Sequence, residues 1–400
     1  MSSIPTTPLN LATNSYEAIS GIASKEKLVN CYIQPTPTQS TNTNSSIILG
    51  TAGLTTWKNL SIDEPVYGLH TMGNLLYAVV GTNVYKIDSD KNSILLGTIT
   101  DLPNRVQMTD NGNHVGILTK AGNLFLANSS SLVQVSDVDY ELSDSLTSLN
   151  TYFILSSRES FKFFTSDVGD ATSYPAAREF ANNDSKKITA VKASNSELWA
   201  FKETSIVTYN NDANTVFPFI KNLGVELGVG CVSKHTISFH KNSFYFLGSD
   251  KIIYSTSGYS LTPISTLPIS EKIQNFTNVS NAFAFCYTQD GSDFYCITFP
   301  DEDQNITYEY NITTGRWHDR ISRKNTKETR WLANCHEFFN NINLVGDKDT
   351  GIIYQIDSKS YKEGQEPIVR EVISSTLSSN YSKIAVARLV LFMETGVGLI

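Results

Sequence analysis

Six histidines are the side chains best placed for acid–base or metal chemistry near neutral pH, and they are scattered: His70, His114, His235, His240, His318 and His336. His235 and His240 stand five apart, and on a strand an odd spacing sends two side chains to opposite faces, where they do not share a ligand easily. Each of the six reads as a structural or surface histidine. The acid run Asp301-Glu302-Asp303 follows Pro300 and offers carboxylates, but glycoside hydrolysis needs a second carboxylate at a defined separation, and none has an identifiable place. The run reads as a solvated loop tip between the two strands of a hairpin. Gly224-Val225-Glu226-Leu227-Gly228-Val229-Gly230 is glycine-rich without opening a helix after a strand, so it suits a bend or a close backbone approach rather than a phosphate cradle. Gly-x-Ser-x-Gly and His-Glu-x-x-His do not occur. No catalytic, cofactor-binding or metal-binding residue is assigned, and no cofactor is expected.

The five cysteines (Cys31, Cys231, Cys286, Cys296 and Cys335) are odd in number, widely spaced and without zinc-like Cys/His spacing. Cys286 and Cys296 can face each other across a hairpin, though buried free thiols suit a chain made in a reducing cytosol better. The start, Met1-Ser2-Ser3-Ile4-Pro5, lacks the basic and apolar regions of a signal peptide, and no apolar stretch nears the ~18 residues of a membrane span. The expectation is a soluble product of a cytosol.

The elements that carry these residues recur. An apolar β-run, a polar turn and a second apolar run return at a spacing of about 40–50 residues, the range of propeller blades. Copies centre on Leu75-Leu76-Tyr77-Ala78-Val79-Val80, Val115-Gly116-Ile117-Leu118, Leu198-Trp199-Ala200-Phe201, Phe244-Tyr245-Phe246-Leu247, Phe294-Tyr295-Cys296-Ile297 and Ile342-Asn343-Leu344-Val345. Asp110-Asn111-Gly112-Asn113, Asp290-Gly291-Ser292 and Thr313-Thr314-Gly315 supply the positive φ that tight hairpins need. One hairpin cannot bury its own face, so the repeats must close around a shared axis. The expected fold is all-β: a β-propeller of six or seven blades, the count depending on whether Tyr152-Phe153-Ile154-Leu155 begins its own. Apolar residues at helical spacing are not sustained anywhere.

Around the propeller, expected at 56–357, the composition shifts. Residues 1–55, punctuated by Pro5, Pro8, Pro35 and Pro37, read as an extended arm able to add a strand to a neighbouring sheet. Residues 358–400 read as a C-terminal β segment. Its runs at 368–373 and 384–393 follow a charged linker, and the apolar end Gly398-Leu399-Ile400 either closes a strand or marks a truncated β-domain. The net charge of −8 argues against a phosphate-binding surface. Arg316, Arg320, Arg323, Lys324 and Lys327 form a local basic group that reads as a solvated loop after a strand. Sialidase-type propellers carry Asp-box turns, which the segment from Ser166-Asp167 to Ser173-Tyr174 approaches without matching.

In order along the chain, the residues resemble the packaged-DNA stabilisation, or tail-hub, proteins of short-tailed (podovirus-type) bacteriophages. The resemblance runs through Pro8-Leu9, Ser15-Tyr16-Glu17-Ala18, Val29-Asn30-Cys31-Tyr32 and Gly50-Thr51-Ala52-Gly53-Leu54, where Cys31 and Ala52 depart from the family's apolar residue and proline. It continues at Phe163-Phe164-Thr165-Ser166-Asp167, from Glu197 to Thr204, and at Phe217-Pro218-Phe219, Gly230-Cys231-Val232 and Phe246-Leu247-Gly248. It ends with Thr307-Tyr308-Glu309-Tyr310-Asn311, Thr314-Gly315-Arg316-Trp317 and the segment from Gly346 to Asp357. Each motif is weak alone; their order carries the resemblance.

The resemblance implies a structural virion protein rather than an enzyme. Such a hub plugs the DNA exit channel below the portal and adaptor rings, retains packaged DNA without necessarily touching it, and anchors the tail needle and tail fibres or spikes. It implies a homo-oligomeric ring, commonly a hexamer, in the virion tail, made in the host bacterial cytoplasm. The competing expectation is a propeller-fold glycan hydrolase or depolymerase, since a fold by itself does not choose a function.

Overall fold

The second strand of each repeat explains the architecture. Leu76, Ala78 and Val80 point to one side of their sheet and Tyr77 and Val79 to the other, and all five are buried. A strand covered on both faces must lie between two neighbouring sheets, which is why these strands read as continuous apolar runs. The computed structural model describes residues 14–17, 24–35, 46–180, 186–194, 196–212, 217–324 and 327–374. Among these, seven four-stranded antiparallel sheets follow one another at 66–98, 107–134, 143–180, 188–227, 238–263, 283–324 and 333–357, the last completed by Gly53–Asn59. We number them as blades one to seven. The molecule is a β-propeller, and the 152–155 run is the second strand of the third blade.

Seven apolar clusters, one at each blade interface, hold the ring. The cluster of Val66, Leu76, Phe339 and Leu344 joins the seventh blade to the first and so closes the circle. Closure is also covalent in order: Gly53–Asn59, ahead of the first blade, pairs antiparallel with Ile352–Asp357 as the outer strand of the seventh. The first strands of successive blades neighbour one another around a central channel.

Two-residue turns join the first and second strands of several blades and set their register. Asp290 and Gly291 (φ 49° and 77°) link Gln289 to Ser292, and Asn340 and Asn341 (φ 47° and 63°) do the same between Phe339 and Ile342. One short helix, Leu267–Gln274, interrupts the pattern before the sixth blade. Pro268 sits in its first turn, where a missing N–H costs nothing, and Ile269 and Ile273 drop one turn apart into the interface of blades five and six. Eight residues are too few for helical periodicity to stand out in the sequence. Among the described residues no helix is long and apolar enough to cross a membrane.

The terminal segments add to the sixth blade. Lys25–Val29 pairs with Tyr16–Glu17 and with Glu371–Ile373, both antiparallel, and meets Arg316–Lys324 in parallel at Val29 and Asp319. Cys31–Pro35 and Ser46–Gly50 then form a hairpin leading to the closing strand. The Pro8-Leu9 motif, part of the loop after Gln34 and the 384–393 run lie outside the described residues.

Candidate functional site at the sixth and seventh blades

Where the terminal segments meet blades six and seven, charged side chains are buried in contact with one another. Glu309 and His318 are directly opposite on adjacent strands, and both are essentially inaccessible to water. Glu309 Oε2 lies 2.5 Å from His318 Nε2, and its Oε1 accepts a hydrogen bond from Tyr287 Oη at 2.6 Å. Burial alone would raise the Glu309 pKa, but Arg320, His318 and these hydrogen bonds outweigh it and hold the carboxyl below its usual range. Burial and the neighbouring Glu309 push Tyr287 well above the ordinary phenol.

Arg320, 1% exposed, stacks on the Trp331 ring at 4.0 Å and lies 3.9 Å from Glu363. Glu363 accepts hydrogen bonds from Trp331 Nε1 at 2.9 Å and from Ser322 Oγ. Burial raises the Glu363 pKa, with Arg320 and these donors pulling the other way. The basic group expected in a solvated loop is therefore corrected: Arg316–Lys324 is a strand of blade six, and Arg320 is covered by Trp331, Glu363 and the Ala52 carbonyl. Alternation along a strand cannot reveal a cover built in part from a residue 268 positions away.

Asn30 is the pivot of that cover. It is 1% exposed and holds a positive φ of 51°, a conformation asparagine tolerates better than most residues. Its side-chain amide donates to Ile321 O at 3.0 Å and Val369 O at 2.8 Å, while its Oδ1 accepts from Ile321 N at 3.1 Å. One side chain thus ties the N-terminal segment, the sixth blade and the C-terminal segment together. Ser15 adds a second tie, exchanging hydrogen bonds with Leu28 backbone at 3.2 and 3.0 Å.

The remaining chemistry-bearing residues are dispersed. His70 meets Asp110 at 2.8 Å between blades one and two, and His240 meets Asp293 at 3.0 Å between blades five and six. His235 is not on a strand with His240; it lies in the 3-10 turn Lys234–Thr236 and lines the channel. Asp301 accepts from Asn281 at 2.9 Å and Asn278 at 3.3 Å in its loop, while Glu302 and Asp303 are exposed. Asp167 and Asp170 staple their own turn through Ser173 and Thr172, at 2.6 and 2.7 Å. At Gly230 a side chain would collide with Glu203 backbone at 2.3 Å, which accounts for that glycine by close approach. Cys286 and Cys296 face Tyr295 and Phe285 rather than each other, and all five cysteines are free. Among the described residues no three His, Cys, Asp or Glu side chains gather as metal ligands.

No curated protein matches the chain. Solved structures similar to it include the WD40 propeller domain of Doa1, with 13% identity, a TM-score of 0.49, and coverage of 76% of this chain and 97% of that one. Another is BamB from Moraxella catarrhalis, at 11% identity and a TM-score of 0.45, covering 81% and 97%. A third is the Pan2 WD40 domain of Neurospora crassa, at 7% identity and a TM-score of 0.47, covering 78% and 95%. These identities carry no inference about function. A family model does match, over residues 25–361, a span that takes in the Lys25–Val29 strand, the Asn30 pivot and all seven blades. This chain belongs to the phage stabilisation family described as bacteriophage P22 Gp10, β-propeller.

Proposed function

We propose that the protein is a non-catalytic tail hub of a phage virion, plugging the DNA exit channel below the portal and adaptor and anchoring the tail needle and fibres or spikes. The observation that carries this reading is the family match across 25–361, which takes in the Lys25–Val29 strand together with the propeller. A structural phage protein needs surfaces more than a reaction centre, and strands added to a blade are a common way for one chain to engage another. The terminal segments on blade six are the surfaces we assign to ring and portal contacts. A closed ring requires head-to-tail interfaces whose rotation closes, and a hexamer is the form proposed. Packaged DNA is retained indirectly, since a net charge of −8 repels the duplex at long range.

Light scattering of the protein with and without a purified portal–adaptor complex tests this. Stoichiometric addition to that complex is expected, lost on deleting residues 1–30 while the β-sheet circular dichroism persists. A chain that ignores the portal, or that assembles normally without residues 1–30, overturns the hub or the assigned contacts respectively. Turnover of host polysaccharide would favour the hydrolase reading instead.

A further inference from the structure

The central channel contains a cavity of about 350 Å³ whose lining includes Arg105, Lys192, Lys234, His235, His336 and Glu337. Its cations come from different blades. Arg105 precedes the first strand of blade two, and its side chain reaches past blade one to the far side of the channel. There it donates to Asn334 O at 2.5 Å and Asn334 Oδ1 at 2.8 Å, and stacks 3.5 Å from the centre of the Phe283 ring. Lys234, ahead of the first strand of blade five, donates to Asp144 O of blade three at 2.5 Å. Lys192 lies within the first strand of blade four, and its ammonium makes no hydrogen bond among the described residues.

These cations have few acids. Among the described residues no carboxylate lies within 4.0 Å of Arg105 or Lys192, and Lys234 has only Asp144 at 3.9 Å. The charged group acting most on Lys192 is Lys234, and that on Arg105 includes Arg330, which lies against the same Phe283 ring at 5.4 Å. Burial and this mutual repulsion bring the Lys192 ammonium down to about 8 and the Arg105 guanidinium to about 9. Glu337 is the single acid in the lining, and burial raises its pKa. A cavity ringed by half-buried cations, two of them held by hydrogen bonds to neutral oxygens and with one acid in the lining, is an arrangement completed by an anion.

We infer that the channel binds a small multivalent phosphate anion, with Arg105, Lys192 and Lys234 as its ligands and His235 beside them. Guanidinium and ammonium groups from separate blades approach a tetrahedral oxyanion from several directions, and the low-dielectric walls strengthen each contact. The cavity volume fits a pyrophosphate or the triphosphate end of a nucleotide. A DNA duplex is excluded by size, and the two cationic side chains that cross the channel bar a threaded strand. Bound phosphate would also tie blades two, four and five together across the axis.

Calorimetric titration of the isolated chain with pyrophosphate at low ionic strength tests the site, with a nucleoside triphosphate as the second arm. One pyrophosphate per chain is expected, with proton uptake near pH 8 as Lys192 recovers its charge. Comparable affinity for the triphosphate identifies a terminal phosphate group as what is read; weaker binding identifies the free anion. Lys192→Met should weaken binding about tenfold or more, by loss of a charge-assisted contact. The same variant should melt higher than the parent without pyrophosphate, because a half-buried ammonium without an acid partner is gone, and should gain less from adding it. Absence of a saturable heat, or equal affinity in a folded Lys192→Met variant, overturns the inference. Preferential binding of a single-stranded oligonucleotide over pyrophosphate also overturns it.

Discussion

At the junction of blades six and seven, Arg320 has Glu363 at 3.9 Å and Glu309 close by, and Glu309 is itself capped by His318 and Tyr287. Across the channel, Arg105 has only amide oxygens and an aromatic face. Cationic side chains gather in both places, fully buried at the junction and half-buried in the channel, yet Arg320 has its counter-charges within the chain while Arg105 and Lys192 do not. A paired network resists the loss of any member, because each loss strands a charge away from water. An unpaired set instead stands to gain from an anion that neutralises it. The first is a lock on the terminal segments; the second is the set we propose for an anion.

The largest effect should come from breaking the lock. Glu309→Ala leaves His318 and Tyr287 without their shared acceptor and Arg320 without a nearby counter-charge, and is expected to cost about 3–5 kcal/mol, read from the urea unfolding midpoint. A midpoint unchanged from the parent would mean that the network is not closed in solution. Glu309→Gln, which keeps the shape and loses the charge, should fall between the two.

An intermediate effect is expected from protons at the channel. Burial lowers the His336 pKa from 6.5 to about 4, where the ring sits 3.0 Å from Asn343 Oδ1 and stacks on Phe285. The folded pKa lies below the unfolded one, so the neutral ring contributes stability above pH 6.5 that is lost as pH falls towards 4. The loss is at most about 3 kcal/mol. Glu363, whose pKa is raised, contributes with the opposite sign, so the test is a difference: His336→Gln should lose less stability than the parent between pH 6.5 and 4. Parallel stability curves would remove His336 as the source.

The smallest effect belongs to a pair in water. Lys272 of the short helix meets Glu17 of the terminal strand at 2.6 Å with both side chains substantially exposed. Lys272→Ala should change unfolding stability by no more than about 0.5 kcal/mol, and less still in high salt. A cost comparable to that of Glu309→Ala would show that the terminal strand is held by its rim rather than by the buried junction.

Much of the blade pattern was legible because the middle strands are apolar on both faces, as in the Leu75–Val80 and Ser243–Leu247 strands. The blade count was not, for the flanking strands carry a weaker signal. Ser143–Leu149 is mostly serine, threonine and aspartate, and Leu132–Gln134 is a three-residue edge with two exposed positions. Arg320 looked like a surface residue for a related reason: its strand is polar, and only the packing of Trp331, Glu363 and Ala52 against it makes it interior. Of the candidate sites, the absence of a local motif was readable, but the convergence of Arg105, Lys192 and Lys234 was not, since their spacing along the chain follows no motif.

Local chemistry alone therefore determined the hairpins, their turns and the all-β class, because alternation and positive-φ turn residues act over a few positions. The closing of the ring by Gly53–Asn59, the Glu309–His318–Arg320 network and the cationic channel were decided only in three dimensions. Each depends on which blades become neighbours. Burial and pairing of a charge are properties of that neighbourhood, and no residue carries them in its own identity.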